Sequence, residues 1–553
     1  MIRGWRKVLL LLAAAGLAAG CAAKSDKYKI KDQAPAPYIT PERSAADIVK
    51  YGEGACALPG PFEGAAIDYL QVLAGPAGRL SGSQGYRCAA AFVRDTLKSF
   101  GYQVDEVPYT FPYYDFDLGK VKVTRARDNK DFPAFPMHYS APAKGTLTGK
   151  LIRPRPGSLE GSFIYVKPSM FASPDLKPKY VEWKKRGALG VIREASMRPE
   201  GAKGNRHPAR AHATSWRYAP LPGFVVEDAA ELIGETITVT GEARIVQGTG
   251  YDIVARSKEP ASSYVLITAH LDCWFTGALD DGSGAAALLE IARLMKDDNR
   301  GVIFLFVDSE EIWLIGSGAY VQKFGTGNIS AVIELDMVSS LNNFGRDKTP
   351  ENAGIMPRAI TYTTGLKPYA KNSLGGLAGR KLFVPPWLNL LVNHGGFRTD
   401  YEWFFYEGVP GVLIYTPSKY YHQELDTLDW IPPDDLQDVA VRVADLTRTL
   451  RDQGDLPRAK TIAFNFEARM GDGDSVELSV TLAQGQRTKP SKVVVNSYFE
   501  QGFEDKVELK KADDGVWRGE YQPPWPGDWE FLAAASRGRT AGKRWVTLKA
   551  PKK

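Results

Sequence analysis

Between Ile253 and Leu450, apolar runs of strand length recur, and each of the main ones is followed by acidic or histidine residues. This pattern constrains the fold most. Runs of aliphatic residues without polar alternation belong to strands buried on both faces, and amphipathic helical segments lie between them. The expected architecture is α/β: a mixed, mostly parallel sheet with helices on both faces. Open sheets of this kind place ligands beyond the carboxyl ends of their strands, which is where the polar clusters fall. Val265–Ala269 leads into His270 and Asp272, and Val302–Val307 into Asp308-Ser309-Glu310-Glu311. Ala331–Leu335 leads into Asp336, and Val412–Tyr415 precedes Tyr420-Tyr421-His422. Asp280-Asp281-Gly282-Ser283-Gly284 opens a helix expected over Ala285–Met295.

The residue types suit a metal centre. His270 and Asp272 stand two apart, on one side of an extended backbone, so one can bind metal while the other holds the imidazole. Glycines after Asp280 permit a tight turn that aims a carboxylate back at the strand ends. The adjacent Glu310 and Glu311 can divide the work, one ligating and the other moving a proton. Singly these are weak signals, since Asp-Asp-Gly-Ser-Gly is usually a helix start and Glu-Glu a solvated pair. Their combination, in a chain with six histidines, is what points to chemistry. A buried group of two His and three carboxylates would repel itself without cations. Such mixed donors suit Zn²⁺ and also Co²⁺ or Mn²⁺.

The order His270-x-Asp272, Asp280-x-Gly-Ser-Gly, Glu310-Glu311, Asp336-Met337, Tyr421-His422 and Asp426-Thr427 resembles zinc metallopeptidase family 28. That family includes aminopeptidase Y, bacterial leucyl aminopeptidases and glutamate carboxypeptidase. The resemblance spans roughly residues 40 to 450 and takes in Gly78-Arg79-Leu80-Ser81-Gly82-Ser83, Thr399-Asp400-Tyr401 through Phe404, and Gly408-Val409-Pro410. It implies two Zn²⁺, one on His270 and Asp336, the other on Glu311 and His422, with Asp280 bridging. It further implies Glu310 as general base, Asp272 as the residue orienting His270, and Tyr421 as hydrogen-bond donor to the oxyanion. Peptides would be the substrates and aminopeptidase action the leading expectation. Trp313 stands where the family usually has Gly, and Glu334 where an Asn often precedes the metal Asp. Trp274 hints at the glutamate carboxypeptidase branch.

At 553 residues the chain should hold about three or four domains. Met1–Lys7 is basic and Val8–Ala19 apolar but shorter than the ~20 residues that span a bilayer, which is signal-peptide architecture. Leu17-Ala18-Ala19-Gly20-Cys21 resembles a bacterial lipobox, with Cys21 as the lipidated residue and Ala18 in place of the usual Leu. The expectation is a signal peptide over 1–20, a tether over 21–41, and a lipid anchor in the cell envelope, on the outer membrane facing the periplasm. The peptidase domain is expected in two segments, over 42–117 and 249–453, separated by a β-rich insert over 118–248 that resembles a protease-associated domain. Residues 458–553 alternate with period two, as in Ile462, Phe464 and Phe466, and read as an immunoglobulin-like β-sandwich.

In an oxidising compartment a Cys56–Cys88 disulfide is plausible, leaving Cys273 as a buried passive thiol rather than a nucleophile. The formal charge of +6 drops by three once Arg3, Arg6 and Lys7 are removed, and no basic run interleaves with aromatics, so nucleic acid is excluded as a partner. Arg398 and His394 are candidates for contacting substrate, each beside a blander loop or ion-pair role. Two other functions stay open: a single-zinc enzyme similar to glutaminyl cyclases, and a non-catalytic binding lipoprotein of the same fold. Oligomeric state is left open.

Overall fold

The computed structural model describes the chain from Leu58 to Ala550, apart from residues 168–175, 195–220, 389–396 and several shorter interruptions. The signal peptide, Cys21, the tether, Cys56 and His394 lie outside the described residues. Cys88 is disulfide-bonded, and Cys273 is a buried free thiol.

An eight-stranded sheet forms the centre. Its order is Gln103–Phe116, Ala243–Arg256, Val302–Val307, Tyr264–His270, Ile329–Asp336, Gly411–Tyr415, Arg358–Tyr362 and Lys381–Val384. Tyr264–His270 pairs in parallel with both Val302–Val307 and Ile329–Asp336, and the latter with Gly411–Tyr415. The four carboxyl ends therefore open on one side. The chain passes from Tyr264–His270 to a neighbour on one flank and then to a neighbour on the other, a switch point that leaves a crevice at His270.

Why these strands sit centrally is plain from their residues. Every side chain of Tyr264–His270 and of Val302–Val307 is buried. Helices cover both faces with their apolar sides. Ala66–Leu73, Gln84–Ser99, Gly284–Leu294, Lys367–Leu374 and Pro433–Asp452 pack on one face. Ile315–Phe324 and Tyr401–Tyr406 pack on the other.

The insert is a second eight-stranded sheet running from Lys122 to Thr240, with its own core and, among the described residues, the α-helix Leu176–Lys185. It hangs on a ribbon in which Gln103–Phe116 pairs antiparallel with Ala243–Arg256 along fourteen residue pairs. The sequence boundary at 248 falls inside this unbroken strand, which continues to Arg256. Pairing with a long partner overrides the local turn signals that set that limit. An aromatic cluster joins the two bodies, with Tyr114, Phe116, Phe135, Tyr180 and Trp183 packed with Trp274, Phe275 and Ile312.

After residue 457 two four-stranded antiparallel sheets enclose one core that includes Ile462, Phe464, Val476, Leu478, Trp529 and Phe531. This is the β-sandwich expected from the period-two alternation.

Arg358 and Asp435, both almost fully buried, form an ion pair between the Arg358–Tyr362 strand and the Pro433–Asp452 helix. Arg358 Nε also donates to the Val338 carbonyl (3.1 Å), and Ser339 donates to Asp435 (2.5 Å). Replacing Arg358 by Met would leave a buried carboxylate without its countercharge. The expected loss is about 3–5 kcal/mol, read as a lower urea midpoint, with Arg358→Met/Asp435→Leu recovering most of it.

Candidate metal centre

Five side chains, two of them from strand ends, converge in the crevice. Ligand atoms of His270, Asp280 and Asp336 lie within 4.8 Å of one another, and so do those of Asp280, Glu311 and His422. Asp280 belongs to both groups. Its Oδ1 is 3.3 Å from His270 Nε2 and its Oδ2 is 3.2 Å from His422 Nε2, while Glu311 Oε2 lies 2.8 Å from His422 Nε2. The Tyr421 ring, 40% exposed, stacks on the His422 imidazole with centroids 3.6 Å apart.

Six buried carboxylates around this crevice fall into two kinds. One kind accepts backbone N–H donors, although Asp281 Oδ2 has no hydrogen-bond partner among the described residues. Asp272 accepts from Glu310 N (3.1 Å), Glu311 N (3.2 Å) and the Ser81 hydroxyl (2.9 Å). Asp281 accepts from Gly284 N (2.9 Å) and Met337 N (3.0 Å), and Asp426 from Leu279 N (2.8 Å) and Asp280 N (3.0 Å). Each of these stitches one ligand-bearing loop to the next. The other kind, Asp280, Glu311 and Asp336, accepts no backbone N–H among the described residues, and Glu311 Oε1 has no hydrogen-bond partner among them. Buried carboxylate oxygens kept clear of protein donors are what a divalent cation requires.

The electrostatics agree. Burial, with the neighbouring carboxylates, pushes Glu311 and Asp336 up to about 7, against the pull of the imidazoles. Burial and the charges of Glu311, Asp400 and Asp336 hold Glu310 well above the usual carboxylate range. Burial opposes an imidazolium at His422, yet Glu311 and Asp280 outweigh it and raise that ring to about 10. Negative groups so crowded suit a cation, and His270 with Asp280 and Asp336, or Asp280 with Glu311 and His422, could hold one.

Asp272 supports the site differently from the sequence expectation. His270 Nδ1 meets the Asp272 backbone carbonyl at 2.9 Å, while the carboxylate stands off at 3.6 Å. The carboxylate's hydrogen bonds instead fix the Glu310-Glu311 backbone. Arg398 is exposed at the edge of the 397–401 turn, and its charge acts on Tyr406 rather than on the donor groups.

Other residues were missed by sequence reasoning. Arg79, 2% exposed, donates to the carbonyls of Leu271 (2.8 Å), Leu73 (2.5 Å), Thr276 (3.2 Å) and Gly277 (3.0 Å), tying down the loop that follows His270. Its presence in Gly78-Arg79-Leu80-Ser81 was the only available signal. Among the described residues, seven of the nine non-glycine positions with positive φ flank the crevice: Phe275, Ser309, Trp313, Leu314, Met337, Arg398 and His422. Such conformations persist only where surrounding contacts over-determine them.

The strand ends and the crevice define an α/β protein with a candidate metal centre. Residues 252–447 match the model of peptidase family M28, so the chain carries an M28 peptidase domain. A probable glutamate carboxypeptidase of Arabidopsis thaliana is 26% identical over 209 residues, which is 35% of this chain and 28% of that protein. The chain thus aligns with less than a third of that relative's length. An aminopeptidase of Pseudomonas aeruginosa is 25% identical over 389 residues, 62% of this chain and 67% of that protein. A zinc aminopeptidase from Bacillus subtilis shares the fold, with TM-score 0.55 at 18% identity over 70% of this chain and 94% of that one.

Because Asp272 holds two ligand-loop amides with two oxygens, Asp272→Asn loses an acceptor at unchanged size. Metal affinity is expected to fall about 10–100-fold, measured by competition with a chromophoric chelator.

Proposed function

We propose that this chain is a zinc-dependent exopeptidase, most simply an aminopeptidase, working with two metal ions and Glu310 as general base. The observation that carries the reading is Asp280, whose two oxygens face two different histidines at 3.3 and 3.2 Å. Two ions held there by His270 with Asp336 and by Glu311 with His422 would polarise a scissile carbonyl and acidify water. Glu310, beside the ligand Glu311, accepts the proton of the attacking water and returns it to the leaving amine. Burial and the neighbouring carboxylates raise its carboxyl above the usual carboxylate range. The Tyr421 hydroxyl is assigned to the oxygen on which negative charge develops.

The insert narrows the choice of substrate. Trp274 follows Asp272 in the chain, packs against His138 of the insert (centroids 4.3 Å) and lies 6.2 Å from His422. Trp274 thus links the insert to the neighbourhood of His422, which supports reading the insert as part of the substrate-facing wall and the substrate as a chain end. We also assign the enzyme to the bacterial envelope, anchored through Cys21, on the sequence pattern alone.

Elemental mass spectrometry on protein starting at Ala22, purified without chelator, is expected to give two zinc ions per chain. One ion would favour cyclase chemistry, and none after zinc resupply a binding protein. Glu310→Gln is expected to keep both ions and lose about 10²–10⁴-fold in turnover on a peptide library; near-normal turnover would remove Glu310 as the base.

A further inference from the structure

The C-terminal β-sandwich touches the peptidase domain at one place that bears on the crevice. Its last strand, Thr540–Ala550, lies against the Tyr401–Tyr406 helix. There Lys543 Nζ donates to Glu402 Oε1 at 2.8 Å and sits 5.3 Å from the Tyr406 ring centroid. Glu402 is 6% exposed, and burial would raise it, but Lys543 and two backbone donors hold it below the usual carboxylate range. Its other oxygen, Oε2, accepts the amides of Phe397 (2.9 Å) and Arg398 (2.8 Å). Arg398 has φ +58°, a conformation that needs outside support.

The same turn is gripped from within. Glu334, two residues before Asp336 on its strand, accepts the Thr399 hydroxyl (2.7 Å) and the Tyr401 amide (3.2 Å). Between the two grips stands Asp400, 1% exposed, whose charge reaches Glu310 and Asp336. The turn is thus suspended between a metal-bearing strand and a domain outside the peptidase fold.

We propose that Lys543 is a positioning residue: through Glu402 it fixes the 397–400 turn against the metal-bearing strand, making the sandwich a working component of the peptidase domain. The alternative is that the sandwich is merely docked. A second ion pair at the same contact separates the two, because Arg544 Nη2 donates to Glu407 Oε2 (2.7 Å), which does not touch the turn. The inference rests on the metal-site reading only for what the turn serves, since the test uses no substrate.

The experiment is amide hydrogen exchange with mass-spectrometric readout on the full chain loaded with zinc. Lys543→Met is expected to speed exchange at Phe397 and Arg398 by about tenfold or more, while Lys543→Arg and Arg544→Met stay within about twofold of the parent. Exchange unchanged in Lys543→Met would overturn the proposal, and so would an equal rise in Arg544→Met. Should Lys543→Met fail to fold, Glu402→Gln provides the same comparison, because its amide cannot accept at both ends.

Discussion

Negative charge buried at the ends of parallel strands is the constraint around which this molecule is organised. A carboxylate taken out of water needs either hydrogen-bond donors or a cation. Asp272, Asp281 and Asp426 find donors in backbone N–H groups of loops distant in sequence, and so become the pins that hold those loops together. Asp280, Glu311 and Asp336 stand in the two groups that could hold cations. The partition explains why so many acids can share a small volume. Three of them brace the loops, and three others stand where a cation could be held.

The donor residues were legible in the sequence because each follows an apolar strand and strand ends gather at one edge of a parallel sheet. The insert and the sandwich were also legible, from changes in periodicity and turn content. What the sequence did not disclose was the partner of each buried polar group. Arg79 meets Leu271 and Gly277 across nearly two hundred residues of chain, and Asp426 reaches Leu279 across about one hundred and fifty. Such pairings follow from topology and leave no local pattern. The same holds for Asp272: spacing placed it beside His270, but the backbone geometry turned its carbonyl, not its carboxylate, to the ring.

Burial also explains the limits of boundary placement. Gly248 and Gly250 look like turn residues, yet both sit in a continuous strand where an added Cβ would press on Tyr113 and Tyr109. Small residues here make room for aromatic neighbours on the paired strand. Their role is packing, and a reading tuned to turns mistakes it for a boundary.

The two departures from the family pattern become intelligible together with the added domains. Trp313 occupies φ +64°, where glycine is the easy choice and a side chain costs roughly 1–2 kcal/mol. Its ring packs against the aromatic cluster that joins the insert to the peptidase domain, and that burial offsets the backbone cost. Glu334 places an extra buried acid two residues from a metal ligand, which would be unfavourable without donors. Thr399 and Tyr401 supply them, and the turn that presents these donors is held from its far side by Glu402 and Lys543. Each unusual residue beside the metal centre is therefore matched by a contact that only an accessory domain, or a turn braced by one, can provide. The site and the domains around it are best understood as one adjusted unit.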